Sequence, residues 1–324
     1  MKCQPRTIAA ATVVFTTLAL CHSDAGSYPV RPIRLIVPTT AGSNPDQLAR
    51  LVAQWLSGSL RQSVIVENRP GASGTIGLKI VATAERDGYT LGIQTLPFII
   101  APNLLASVPY DTLQDLAPVT LINWNYSVLV VPSRSPARSV AELIVLSRAK
   151  ISGLTFSSAG NATPSHLVLA LLARHSGAHL VHIPYKGGPA SIGAVLAGDV
   201  DLTVGGTTNL SPHIKAGRLR ALATAAPKRL VSHAELPTLV ELGYSGVELS
   251  DWQGIVAPAG TPRIIIELLH SAIVQVLRQR EARQGLEALG MEPAGVGPQQ
   301  FAAYMRHEVQ KWSQLVREIG LKAD

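Results

Sequence analysis

The sequence predicts an α/β protein of two lobes around a hinged cleft, and three observations predict it. Apolar strand-like runs alternate with amphipathic helical patterns along the whole chain, the signature of open, mostly parallel sheets. The alternation falls into two sets, and the chain crosses between them twice, near Val130 and near Trp252. Beyond the N-terminal segment, no stretch reaches about 18 uninterrupted apolar residues, so none is expected to span a membrane. The expected boundaries are 26–129 with 252–324 for a discontinuous first lobe, and 130–251 for the second. Two lobes joined by two crossovers suit the enclosure of a small molecule.

The elements follow in order. Residues 33–37 form an apolar strand that runs through "PTTAGSN" into a helix over 45–60. Residues 63–67 are a short β-rich run, followed by the glycine-rich "NRPGASGTIG"; residues 76–83 have helical spacing and 89–94 are strand-like. In the second set, "SVLVVP" reads as a buried strand and 139–149 as a helix capped by Ser139. "LTFSSAGNATPSHLVLALLARHSG" reads strand, loop, helix; "AHLVHIPYKG" is a strand ending in a glycine turn; "SIGAVLAGDVDLTVGG" is helix then strand. "RLRALATAA" is a further strand and "DWQGIVAPAG" returns to the first lobe, with long helices over 262–280 and 298–319.

The first 25 residues read as a cleavable signal: Lys2 and Arg6, an apolar run from Thr7 to Leu20, then Ser23-Asp24-Ala25 before the cut. That places the mature protein in the periplasm. Leu20 before Cys21 argues against a lipid attachment site, which favours a small residue there. Both cysteines, Cys3 and Cys21, fall in this segment, which excludes disulfides, thiolate metal sites and a cysteine nucleophile from the mature chain. Stability then rests on the core, and a chain of this size buries about three quarters of its unfolded surface. The formal charge is +7. The cations are scattered without interleaved aromatics, which reads as a solvated face and not a nucleic-acid surface.

Four polar loops follow strands and precede helices, where ligands of α/β sheets sit. In the first, Asn44 or Ser43 is positioned to cap the helix, Pro45 suits its first turn, and Asp46 complements the dipole and can position water. The N–H groups of Thr40, Ala41, Gly42 and Ser43 are then expected to face an anion. The second loop offers Ser157, Ser158, Asn161, Thr163 and Ser165. The third offers Tyr185, Lys186 and Gly187, with Lys186 placed at the surface as a source of long-range attraction. Gly206 and Thr207 form the fourth, and Gly74 and Thr95 complete the set.

Other chemistries lack their patterns. Gly71, Gly74 and Gly77 do not have dinucleotide or P-loop spacing. His179 and His182 point to opposite faces of a strand, so with His175 they make no convergent metal site. Asp46, Asp199, Asp201 and Asp251 are not spaced as a catalytic pair. Ser165 and His166 are adjacent on a helix and do not face each other, and no G-x-S-x-G elbow occurs, which leaves a serine hydrolase as a minor alternative. No cofactor and no metal are expected.

"AGSNPDQLAR", "VIVENRPGASGTIG", "RDGYTL", "LAPVTLI", "SSAGNATPSHL", "VHIPYKGGPA", "GDVDL", "PHIKAGRLRALA", "LPTLVELGY" and "WQGIVAPAGTP" occur in that order. Together they resemble the extracytoplasmic solute receptors of tripartite tricarboxylate transporters, the Bug family, from about Tyr28 to Leu321. The resemblance implies a type II periplasmic-binding-protein fold, a Venus-flytrap of two lobes. It implies a carboxylate ligand held by backbone and hydroxyl groups of the first two loops with ordered waters, and a membrane permease as partner. A sensor kinase is the alternative partner, and a monomer is expected. The chain departs from the family pattern P-F-x-x-G-G-x-x-D at Thr39 and Ser43, and has Gly205-Gly206 where relatives often carry an acidic residue and Asn. If that acid meets a ligand amine, its loss disfavours amino acids and favours plain, hydrophobic or aromatic acids; tight aspartate or glutamate binding would sink this reading.

Overall fold

A computed structural model describes residues 28–103, 105, 107–161, 163–230 and 233–319; the expected signal segment and both cysteines lie outside them. Strand β1 (Ile33–Val37) leads into helix α1 (Asn44–Leu60). Leu48, Val52 and Leu56 recur every fourth residue on one face of α1 and are buried. Pro45 sits in the first turn, and the helix ends at Arg61 in the left-handed region (φ 53). β2 (Val64–Asn68), α2 (Thr75–Ala82), β3 (Thr90–Thr95) and a short α3 (Leu96–Ile100) complete this part.

β4 (Leu116–Pro132) is the longest strand. Only its second half was readable as a strand. Through Leu116–Tyr126 it pairs with β9 (Ser250–Pro258), and over part of this stretch also with β10 (Met291–Val296). From Ser127 onward it pairs with β7 (Leu202–Gly206) and β8 (Leu219–Thr224). The change of partners falls at Tyr126–Ser127, ahead of Val130. Tyr126 lies opposite Ser250, so the outgoing and returning passages run side by side. Between them come α4 (Val140–Ala149), β5 (Leu154–Ser158), α5 (Pro164–Ser176), β6 (Leu180–Pro184), α6 (Gly188–Ala197) and α7 (Thr207–Lys215). Helices α8 (Arg263–Leu277), α9 (Arg280–Ala288) and α10 (Pro298–Ile319) close the chain.

The sheet is mixed, which corrects the expectation of mostly parallel sheets. β2–β1–β3 and β6–β5–β7 are parallel arms, but every pairing of β4 and β9 is antiparallel. The arms follow from strand–helix–strand crossovers, which return the chain in the same direction. The central strands instead carry the chain out and back, so they must oppose. One core lies between β1, β3, β9 and helices α1 and α8, with Ile33, Leu35, Leu48, Ile93, Ile255 and Leu269 fully buried. A second occupies the opposite face under α2, α3 and α10 and continues under α5, around Trp252, Phe301, Leu167 and Phe156. Each large apolar side chain so buried contributes roughly 1.5–3 kcal/mol.

Candidate functional site

The first loop folds around a carboxylate. Asp46 is 2 % exposed; its Oδ2 accepts from the Gly42 N–H (2.8 Å) and from Arg50 Nε (3.0 Å), and its Oδ1 from Asn68 Nδ2 (2.9 Å). Burial alone would raise its pKa. The bonds from Arg50, Gly42 and Asn68 outweigh that and hold it below the ordinary carboxylate value. Asn68 also donates to Thr39 O (3.1 Å), tying the loop to β2. Gly42 reaches this geometry at φ +81.

Two expectations are corrected here. Neither Ser43 nor Asn44 caps α1 with its side chain: Ser43 is the N-cap residue without a cap bond, and its Oγ lies 2.6 Å from Thr39 Oγ1. The N–H groups of Gly42 and Ser43 do not face outward together, because Gly42 donates to Asp46 and Ser43 to Thr40 O (3.3 Å). Short polar side chains and turn amides find partners within their own loop first. Thr40, Ala41 and Gly42 are exposed, and the first-turn N–H groups of Asn44 and Asp46 have no intrahelical acceptor. The positive end of α1 is therefore open to an anion, and the Asp46 carboxylate in its first turn is already paired with Arg50 and bonded by Gly42 and Asn68.

The second loop spends its hydroxyls internally. Ser158 is fully buried; its Oγ donates to Gly160 O (2.9 Å), accepts from Gly160 N–H (3.1 Å) and lies 2.6 Å from His182 Nε2. Ser165 Oγ accepts from Ala159 N–H (3.1 Å), and Thr163 Oγ1 bridges Gly160 O (2.7 Å) and Ser165 Oγ (3.0 Å). Ser157 faces away from the loop, donating to Ser191 O (2.9 Å) and fastening α6 to the sheet. Asn161 is half-buried at the loop's tip. The third loop is stitched to the second: Tyr185 N–H donates to Ser158 O (3.0 Å) and Gly187 N–H to Ala159 O (3.2 Å). Tyr185 and Gly187 are half-buried and Lys186 is exposed. The expected fourth loop is instead a direct junction of β7 and α7: Gly206, the last residue of the strand, abuts the Asn125 carboxamide, and Thr207, the first of the helix, reaches Gly290 O through Oγ1 at 3.4 Å. Gly74 is buried against the Phe98 ring, which occupies the space of a Cβ (2.3 Å), so packing explains that glycine. Thr95 ends β3, 3 % exposed. Loops two and three thus form one unit, and the β7–α7 junction adjoins the strand crossing.

Sequence reasoning missed the histidines. The His166 and His182 rings stack at 3.7 Å (16° between planes), with Phe156 4.9 Å from His182 on its own β-register partner. Burial, then the neighbouring His182, lowers the His166 pKa to about 4. Unfolded His titrates near 6.5, so between those values the unfolded chain binds a proton that the native ring refuses, and stability falls as pH drops from about 6.5 to 4. A melting series over that range should show a loss on the order of 2 kcal/mol for the natural protein and a clearly smaller one for His166→Phe, which keeps the stack. Equal pH profiles would refute the assignment.

The arrangement does not resemble a hydrolase centre. Ser165 Oγ is committed to its loop while His166 is stacked on His182. Ser158 Oγ, 2.6 Å from His182 Nε2, also contacts both the carbonyl oxygen and the N–H of Gly160, so its hydroxyl is held within its own loop. Among the described residues no group of three or more His, Cys, Asp or Glu could hold a metal ion, and no helix is long and apolar enough to cross a membrane.

Polar loops at strand ends, on two arms joined by adjacent crossing strands, are the layout of a solute-binding protein. The sequence matches the family described as "Tripartite tricarboxylate transporter family receptor" over residues 48–321. It is 35 % identical to protein BugT of Bordetella pertussis over 301 residues, 92 % of each chain. The fold is similar to the periplasmic binding protein BugD (TM-score 0.78, 30 % identity, covering 92 % of this chain and all of that one). It is also similar to Rpa4515 of R. palustris with adipate (TM-score 0.80, 32 % identity, 91 % and 99 % covered). The chain belongs to the tripartite tricarboxylate transporter receptor family, with the two-lobed fold of periplasmic solute-binding proteins.

Proposed function

We propose that the protein captures a small carboxylate in the periplasm and delivers it unchanged to the permease of a tripartite transporter. The supporting observation is the open positive end of α1 beside a carboxylate, Asp46, that is already fully bonded. Adipate in Rpa4515 supports the ligand class. The lobes would be residues 28–126 with 250–319, and 127–249, closing about the paired passages at Tyr126 and Ser250. The carboxylate would be received at Thr40, Ala41 and the free first-turn N–H groups of Asn44 and Asp46, directly or through water, with Gly42 and Ser43 shaping the loop through their own internal bonds. The 158–165 loop would close from the other lobe with Asn161 at its tip, Tyr185, Gly187 and Thr207 would line the walls, and Lys186 would act through its field. Spent hydroxyls at Ser158, Thr163 and Ser165 support a rigid holder in place of a reactive site. The test is a thermal-shift screen of residues 26–324 against carboxylates and their amides. A ligand at a hundred times its Kd should add about 2.7 kcal/mol, a few degrees at this size. A shift from an acid and none from its amide is expected; equal shifts from both would refute the anion site.

A further inference from the structure

The strand crossing carries polar side chains that nothing in the fold accounts for. Asn123 (0 % exposed), Gln253 (1 %) and Asn125 (8 %) are buried, yet both amide atoms of Asn123, Oδ1 of Asn125 and Oε1 of Gln253 have no hydrogen-bond partner among the described residues. Buried amides are ordinarily satisfied, so an unpaired group of this kind asks for an explanation. The three share one face. Thr95 lies opposite Gln253, and Gln253 opposite Asn123, while Asn125 follows on the same side of β4. Ile93 and Ile255, two residues along β3 and β9 on the same face, belong to the core that also holds Leu48 and Val52 of α1, so the row lies on the α1 side of the sheet. The row runs from Thr95 in one arm to Asn125, which abuts Gly206 in the other.

We infer that this carboxamide row is a second subsite of the same cleft, and that it selects acids bearing a hydroxyl remote from the carboxylate. The inference rests on the carboxylate reading above. A carboxamide both donates and accepts, and so does a hydroxyl, whereas a methyl end would leave every atom of the row unpaired. A second carboxylate fits poorly: among these register partners, which include Pro293 and Met291 of β10, the one ionisable residue is Asp251, opposite Asn125. β9 lies two strand spacings from β1, about 10 Å, which sets the span between the carboxylate at the end of α1 and the hydroxyl.

The test compares matched acids, 6-hydroxyhexanoate against hexanoate and 3-(4-hydroxyphenyl)propanoate against 3-phenylpropanoate, by calorimetric titration of the full mature chain. The natural protein should prefer the hydroxylated member of a pair at least tenfold, since a site built to bond a hydroxyl rejects the analogue without it. Asn123→Leu and, separately, Gln253→Leu should erase that preference. Both should also raise the melting temperature of the unliganded protein, because an unpaired amide is removed. Were the row satisfied by structural water, both variants would melt lower and any preference would persist, which overturns the inference. Binding of both members of a pair with equal affinity overturns it too. Binding of no acid at all, in these pairs or the wider screen, would instead fail the carboxylate reading.

Discussion

Asp46→Ala is expected to lower stability by roughly 3 kcal/mol and to weaken carboxylate binding at least tenfold. The side chain is nearly inaccessible and receives three bonds from three separate segments: the loop, the helix and β2. Deleting it leaves the Gly42 N–H and Asn68 Nδ2 without their acceptor and the Arg50 guanidinium unopposed beside the positive end of α1. The loss is therefore larger than that of an exposed ion pair, which is worth about 0–1 kcal/mol. Asp46→Asn keeps the shape but must turn an NH2 toward one of its donors, so an intermediate loss of about 1–2 kcal/mol is expected. The two variants also separate by pH. The native pKa of Asp46 is lowered, so its stabilising term is present above the unfolded value near 3.9 and disappears as pH falls through the lowered one. Urea melts between pH 7 and 3 should show the natural protein converging on Asp46→Asn at the acid end. A constant gap across that range would mean the carboxylate charge is not what holds the loop.

The opening helix was legible because its apolar residues keep one period from Leu48 to Leu56 and Pro45 marks its start. The first half of β4 was not. It contains Pro118, Asn123 and Asn125, and bulges between Pro118 and Thr120 and between Leu121 and Asn123 break the alternation of sides. Polar residues that are buried look like loop in a sequence. Strand direction is likewise absent from periodicity, so the antiparallel centre could not be read from apolar runs. α3 and β10, "LPFII" and "MEPAGV", are too short for any pattern. The small polar residues and prolines did mark the ends of β1, β5, β6 and β7 in the sequence. The direction of each hydroxyl was not legible, because Ser158, Thr163 and Ser165 can reach their own loop backbone as readily as a ligand. His166 and His182 lie on different elements, and only the β5–β6 register together with the first turn of α5 stacks them.

Gly254→Ala is expected to be the most destabilising single methyl addition in the crossing strands. A Cβ at Gly254 would lie 2.5 and 2.6 Å from Phe301 ring carbons and 2.9 Å from the Thr120 carbonyl oxygen. Phe301 cannot withdraw, being fully buried and set edge-on to Trp252 at 5.3 Å. Thr120 O belongs to the bulged neighbouring strand and cannot move without shifting β4. Overpacking typically costs 1–3 kcal/mol; with a backbone atom in the way, about 3 kcal/mol or more is expected. Phe301→Leu should recover part of this, so the double variant should be less destabilised than the sum of the singles by about 1 kcal/mol or more. Recovery should stay incomplete, because the carbonyl clash remains. Gly58→Ala in α1, where a Cβ meets nothing within 4 Å, is the control and should gain up to about 1 kcal/mol. Urea denaturation of the four variants decides it. Strict additivity would mean that the sheet gives way at Thr120 and the ring does not. A near-neutral Gly254→Ala would mean that β9 and α10 pack less closely than these distances require, and that the passage returning from Ser250 is not rigidly held against the helix behind it.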